Sequence, residues 1–217
     1  EIDAGEFPAD GDFDERARFL LRYATLAPSS HNSQPWAFDI GDGEVRLFAD
    51  DSRRLPVADP DRRELHLSLG CALENLVVAA RHFGYDPAVD YGDETDGRAA
   101  TVALREESSD TTDEATPADA AAADPAMSDA ALFDAIRRRR TNHELFDEDR
   151  PVPAAVLDRF QEYVAESDPD VALTVVDDAD RKRELAALQA EADRRQFENP
   201  DYREELGTIA DAPRWAV

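Results

Sequence analysis

Two short stretches hold most of the side chains in this sequence whose types and spacing could do chemistry. The first, Ala27-Pro28-Ser29-Ser30-His31-Asn32-Ser33-Gln34-Pro35-Trp36, packs hydroxyls, amides and an imidazole between two prolines. Such groups habitually bond their own backbone, which alone would account for a polar turn. They also donate and accept at once, so Ser29, Ser30, Asn32 and Gln34 could address a planar heterocycle whose edge alternates C=O and N–H. If the segment is extended, Asn32 and Gln34 fall on one side of it, which favours that use. The second stretch is Arg137-Arg138-Arg139-Arg140-Thr141-Asn142-His143-Glu144-Leu145-Phe146. Arginine forks with a threonine hydroxyl suit a phosphate. The plainer role is that cations favour the C-terminal end of a helix. Four adjacent like charges repel one another, however, and so favour an anion.

Other leads carry less. His31, His66, His82 and His143 show no metal-ligand spacing with the single cysteine, so no metal is expected. Gly41-Asp42-Gly43 lacks the third glycine and the following helix of a dinucleotide loop. Cys71 sits in the most apolar helical pattern, where a packed thiol is the simpler role.

The elements that must position these stretches can be read from periodicity. Phe13, Ala17, Leu20, Leu21 and Ala24 predict a helix over about Asp12 to Ala27, stopped by Pro28. Trp36, Phe38 and Ile40, then Val45, Leu47 and Ala49, predict a hairpin about Gly41-Asp42-Gly43. A long central helix is expected from Pro60 to Phe83, with Asp59 as cap, Pro60 in the first turn and Gly84 at the end. Leu65, Leu69, Leu73, Leu76, Val77, Ala80 and Phe83 form its apolar face, and Leu67 and Val78 fall elsewhere. Extended segments are expected at Pro87 to Tyr91 and Ala99 to Leu104. Residues 106–127 read as a flexible acidic linker with a transient alanine helix at most. Helices follow over Ser128 to Arg139, Pro153 to Val164, Asp178 to Phe197 and from Asp201, with a strand over Val171 to Val176. The class is α+β, helices around an antiparallel-rich sheet in two unequal halves, 1–105 and 128–217.

The chain has 217 residues, 42% of them apolar, enough for a sizeable core. It carries 50 Asp+Glu against 24 Lys+Arg, a formal net charge of -26, with Lys182 the single lysine. Nucleic acid and anionic membranes would be repelled. Because apolar periodicity persists beside the acidic surface, a halophilic cytoplasmic protein is expected rather than a disordered one, with ellipticity and melting temperature falling in dilute buffer relative to molar KCl. One cysteine excludes an internal disulfide, and no apolar run approaches a membrane span.

The segment APSSHNSQPW resembles the FMN-contacting APSxxNxQPW signature of the nitroreductase family, through Ala27, Pro28, Ser29, Asn32, Gln34, Pro35 and Trp36. Gly70-Cys71-Ala72-Leu73-Glu74-Asn75-Leu76 is similar to the family's central-helix pattern, and Arg139-Arg140-Thr141 to its phosphate-holding element. In ordinary members the arginine element comes first. Its position here after the acidic segment, together with Asp50-Asp51-Ser52-Arg53-Arg54-Leu55-Pro56 and Asp59-Pro60-Asp61-Arg62, resembles a fused, Acg-like branch with two nitroreductase-like halves in one chain.

The resemblance implies a pseudo-dimeric fold with FMN between the halves. Ser29, Ser30 and Asn32 would meet the ring, Gln34 would also bind the cofactor, and Arg139, Arg140 and Thr141 would hold the phosphate. His143 stands where the family often has another cation, which ties phosphate affinity to imidazole protonation. It further implies ping-pong transfer of reducing equivalents from NAD(P)H through FMN to a nitro or quinone-type acceptor, with no side-chain nucleophile. Fused members continue beyond Val217, so 128–217 is expected to be the incomplete start of the second half and the chain a fragment, the missing part coming from the same chain or from a second copy in a homodimer. A flavin-sequestering protein without turnover needs the same residues and stands as the alternative. An acidic interaction protein that has lost the cofactor is a third.

Overall fold

A computed structural model describes residues 2–92, 97–106, 128–142, 144, 147, 150–167 and 170–211. The expected acidic linker over 106–127 lies, apart from Glu106, outside these residues. The chain divides into two compact units, Glu1–Thr141 with Glu204–Val217, and Asn142–Arg203.

In the first unit α1 spans Phe13–Ala24. Asp12 opens it with a capping box, its carboxylate accepting from the Glu15 N–H while Glu15 reaches back to the Asp12 N–H. The helix ends three residues before the expected Ala27. Leu26 and Ala27 donate to carbonyls three residues back, tightening the last turn, and Pro28 bars further α geometry for the residue before it.

Strands β1 (Trp36–Gly41) and β2 (Glu44–Ala49) form the expected hairpin. Its corner residues Asp42 and Gly43 have φ of 57° and 79°, the left-handed pair that a two-residue hairpin turn demands. With β3 (Tyr85–Tyr91) and β4 (Arg98–Glu106) they make a four-stranded antiparallel sheet in the order β1-β2-β4-β3.

The central helix, α2, runs Arg63–His82. It begins later than Pro60, because Arg62 adopts φ 58° and breaks the helical path. Asp59 still caps it, its buried carboxylate accepting from the Glu64 and Leu65 N–H groups at 3.1 and 2.8 Å. Gly84, at φ 81°, closes the other end as expected. Leu65, Leu69, Leu73, Leu76, Val77 and Ala80 are buried against a core that includes Val45, Leu47, Ala100 and Val102 of the sheet. Val78 is buried too, while Leu67 is 62% exposed. Apolar flanks on more than one side are what a helix surrounded by other elements requires.

Helix α3 (Asp129–Arg138), capped by Ser128, docks through Phe133 and Ile136. The Phe133 ring is 1% exposed, stacks on His82 with centroids 3.6 Å apart, and meets Tyr23 and Phe83 at 4.8 and 5.5 Å.

The second unit contains α4 (Ala154–Ser167) and α5 (Ala179–Glu198). The strand expected over Val171 to Val176 does not form there. Val171, Leu173 and Val175 alternate correctly, but they pair with no strand among the described residues and all three are exposed. Helix α6 spans Pro200–Asp211. Within the first unit, Glu205 accepts from the N–H groups of Val57 and Ala58 at 3.0 and 2.8 Å.

Candidate functional site

The polar turn between α1 and β1 is not extended. Ser30–Asn32 form one 3-10 turn, with the Asn32 and Ser33 N–H groups donating to the Ser29 and Ser30 carbonyls. His31, Asn32 and Gln34 all lie in the left-handed region, at φ 50°, 56° and 52°. The expected same-side placement of Asn32 and Gln34 on an extended segment is therefore corrected, because left-handed residues turn the chain between them. Gln34 precedes Pro35, where the allowed backbone is already narrow. Each such residue costs on the order of 1 kcal/mol or more, and conformations of this kind cluster where a ligand is gripped.

The surroundings hold the turn in that shape. Ser29 Oγ accepts from the Gln34 N–H at 2.9 Å. The Ser30 N–H donates to Ser68 Oγ on α2, and Ser68 donates on to the Glu64 carbonyl at 2.7 Å. Ser30 Oγ donates to the Glu64 carboxylate. Arg53, from a 3-10 turn over Asp51–Arg53, donates to the Ser33 carbonyl at 2.9 Å, and the Asp50 N–H donates to the Pro35 carbonyl at 3.0 Å. Buried Pro35 and Trp36 seat the turn on the core.

Ser29 and Ser30 thus spend much of their bonding capacity on the local backbone and α2. The side-chain amides of Asn32 and Gln34, by contrast, make no hydrogen bond among the described residues. Beside the turn lies an open cleft of about 570 Å³, lined among others by Leu26, Gln34, Trp36, Phe38 and Arg53.

The arginine stretch closes α3. Arg137 faces inward, paired with Asp134 at 3.2 Å and lying over the Phe133 ring. Arg139 stands at the helix end, its N–H bonded to the Ala135 carbonyl. Its guanidinium donates to Thr141 Oγ1 at 3.2 Å and to the Leu26 carbonyl at 3.3 Å. That bond joins positions 113 residues apart and sets Arg139 against the segment that leads into Ser29. Arg139 also faces α2: burial pushes the Cys71 thiol up from its ordinary pKa, and the Arg139 charge works against that rise. Arg140 points differently, donating to the Arg137 and Arg139 carbonyls. Neither Arg139 nor Arg140 forms an ion pair among the described residues, and both are exposed. His143 lies outside the described residues.

The structure therefore sets Arg139, with Thr141 bonded to it, on the Leu26 carbonyl just ahead of the polar turn and leaves Arg140 on the neighbouring surface. It also adds residues that sequence reasoning did not single out for the site. Glu64 and Ser68 anchor Ser30, and Arg53 holds Ser33; their separation from the turn in the chain hid them. As a donor set the group suits a phosphorylated heterocycle, with guanidiniums and a hydroxyl for the anion and two open amides for a ring edge. No His, Cys, Asp and Glu cluster among the described residues could hold a metal ion, and no described helix is long and apolar enough to cross a membrane.

No protein-family model matches the sequence. Over 134 residues the chain is 33% identical to "Putative NAD(P)H nitroreductase Rv3131" of Mycobacterium tuberculosis strain H37Rv, covering 61% of this chain and 34% of that protein. Over 59 residues it is 42% identical to "Putative NAD(P)H nitroreductase acg" of the same organism, covering 27% of this chain and 18% of that protein. The chain spans about a third of the length of the first of these relatives. Among solved structures it is similar to a nitroreductase family protein of Streptococcus pneumoniae TIGR4, at 18% identity and a TM-score of 0.34 over 42% of this chain and 78% of that one. The similarity to these curated relatives is in line with the nitroreductase resemblance.

Proposed function

We propose that this chain binds FMN and serves an oxidoreductase that takes reducing equivalents from NAD(P)H and delivers them to a nitro or quinone-type acceptor. The observation that carries the reading is the Arg139 bond to the Leu26 carbonyl, which ties the arginine element, across 113 residues of chain, to the segment that leads into the polar turn. FMN, when bound, supplies reversible hydride and electron chemistry that no side chain offers.

The chain's own residues bind, orient and stabilise charge. Arg139, Arg140 and Thr141 hold the phosphate, with His143 as a further donor when protonated. Asn32 and Gln34 present amides to the ring edge, and Ser29 and Ser30 complete that edge while fixing the turn. Donors set in advance toward an edge that gains negative charge on reduction stabilise the reduced state without reorganising. In the fused arrangement, 1–105 belongs to the first of two related halves and 128–217 to the second.

The test is a flavin spectrum of the purified protein in molar KCl, followed by anaerobic NADH and NADPH. Bound FMN that bleaches rapidly supports the oxidoreductase; bound FMN that stays oxidised supports sequestration. Arg139→Ala with Arg140→Ala removes two charge-assisted contacts of about 1.5–3 kcal/mol each, so affinity falls by on the order of a hundredfold or more. Unchanged flavin retention after desalting removes both arginines from the phosphate site.

A further inference from the structure

The conformation of the polar turn is held partly by its own bonds and partly from outside it. Along 31–34 the backbone is left-handed at His31, Asn32 and Gln34, and right-handed only at Ser33, φ -65°. Isolated, such a run relaxes, and it persists only where neighbours over-determine it. The contacts from α2 reach Ser30, before the run begins. Inside the run the Gln34 N–H donates to Ser29 Oγ, and from a separate element the Arg53 guanidinium bonds the carbonyl of Ser33, a buried residue flanked on both sides by left-handed ones.

Arg53 is itself fixed. Its side chain is 17% exposed and its Nε lies 3.4 Å from the Asp50 carboxylate. That carboxylate is oriented in turn by the N–H and hydroxyl of Ser52, at 3.0 and 2.6 Å. The Asp50 backbone donates to Pro35, immediately after the run. Arg53 also lines the cleft beside Gln34 and Trp36.

We propose that Arg53 is a positioning residue: it locks the left-handed turn through the Ser33 carbonyl and thereby aims the amides of Asn32 and Gln34. The aiming of these amides at a flavin rests on the function proposed above; the locking of the turn does not. A planar guanidinium can serve Ser33 and Asp50 at once, whereas a lysine ammonium is a point donor and replaces only part of the pair.

The experiment uses the full chain in molar KCl with Arg53→Ala, Arg53→Lys and Asp50→Asn, and Arg46→Ala on the hairpin as control. Residue-resolved amide exchange is measured without flavin, then FMN affinity, the visible flavin band and its midpoint potential. The Ser33 and Gln34 amides, which donate to the Ser30 carbonyl and Ser29 Oγ, are expected to exchange about tenfold faster or more in Arg53→Ala while the β1 and β2 ladder stays within about twofold. FMN affinity is expected to fall about tenfold or more, with Arg53→Lys recovering part of it and showing a shifted flavin band and a more negative potential. Unchanged exchange at Ser33 and Gln34, or equal acceleration everywhere, overturns the lock. Should Arg53→Ala not fold, Arg53→Lys and Asp50→Asn carry the same comparison. Wild-type protein that takes up no FMN ends the flavin reading while the exchange pattern still decides on Arg53. Equal FMN binding, band and potential in wild type and variants ends the aiming role and leaves the flavin reading standing.

Discussion

Phe133→Ala asks whether the docking of one helix sets the position of the arginine element. Phe133 is 1% exposed and shares contacts with His82, Tyr23 and Phe83. Burying a phenylalanine is worth about 1.5–3 kcal/mol in transfer free energy, and its ring pairs add roughly 0.5–1.5 kcal/mol. With the cavity left behind, a loss of about 3–5 kcal/mol is expected. Apart from Phe133, α3 buries Ile136 alone, with Leu132 partly buried beside it. Much of the loss therefore appears as opening of α3 rather than as global unfolding. Amide exchange in α3 is expected to accelerate by on the order of a hundredfold while the Leu76–Ala80 stretch of α2 changes far less. Because Arg139 closes the same helix, the binding-competent fraction drops with it, and apparent FMN affinity falls in proportion. Phe133→Leu keeps most of the volume and retains most of both. Urea titration in molar KCl, exchange mass spectrometry and flavin titration together decide the matter. A stability loss below about 1 kcal/mol, or full FMN affinity with an undocked α3, refutes the reasoning.

Two further perturbations concern the start of α2 and the His82 ring. Asp59→Ala deprives the start of α2 of both bonds its carboxylate accepts, where the residue at the helix boundary, Arg62, offers no side-chain cap; a loss of about 2 kcal/mol is expected by urea denaturation, and about half that for Asp59→Asn. Burial lowers the His82 pKa, with Asp134 pulling it up and Arg137 pushing it further down. The unfolded chain then takes the proton first, so stability is held above the ordinary histidine value of about 6.5 and declines as the pH falls through it toward the folded value. The melting temperature in molar KCl should drop between pH 7.5 and 5.5, and His82→Gln should remove that part of the slope.

What could be read from the sequence was what depends on neighbours in the chain. Asp42-Gly43 between alternating apolar residues specifies its turn locally, and the hairpin formed where expected. Asp12 with Glu15, and Ser128 before α3, announce helix starts for the same reason. Local patterning failed where a partner was needed. Val171, Leu173 and Val175 alternate as a strand should, yet a strand exists only as one side of a ladder, and none of the described strands supplies the other. The polar turn fails in a subtler way. Residue types alone show that Ser29, Ser30, Asn32 and Gln34 can bond, but not which of them is already spent. Glu64 and Ser68 occupy Ser30 from 34 and 38 residues away, and Arg53 takes the Ser33 carbonyl from 20 residues away. Those distant bonds turn a run of small polar residues into a strained, fixed turn with two amides left open. The distinction between a satisfied turn and a binding turn thus lies in tertiary contacts made by Arg53, Glu64 and Ser68, residues whose own local sequence assigns them only to a turn and a helix.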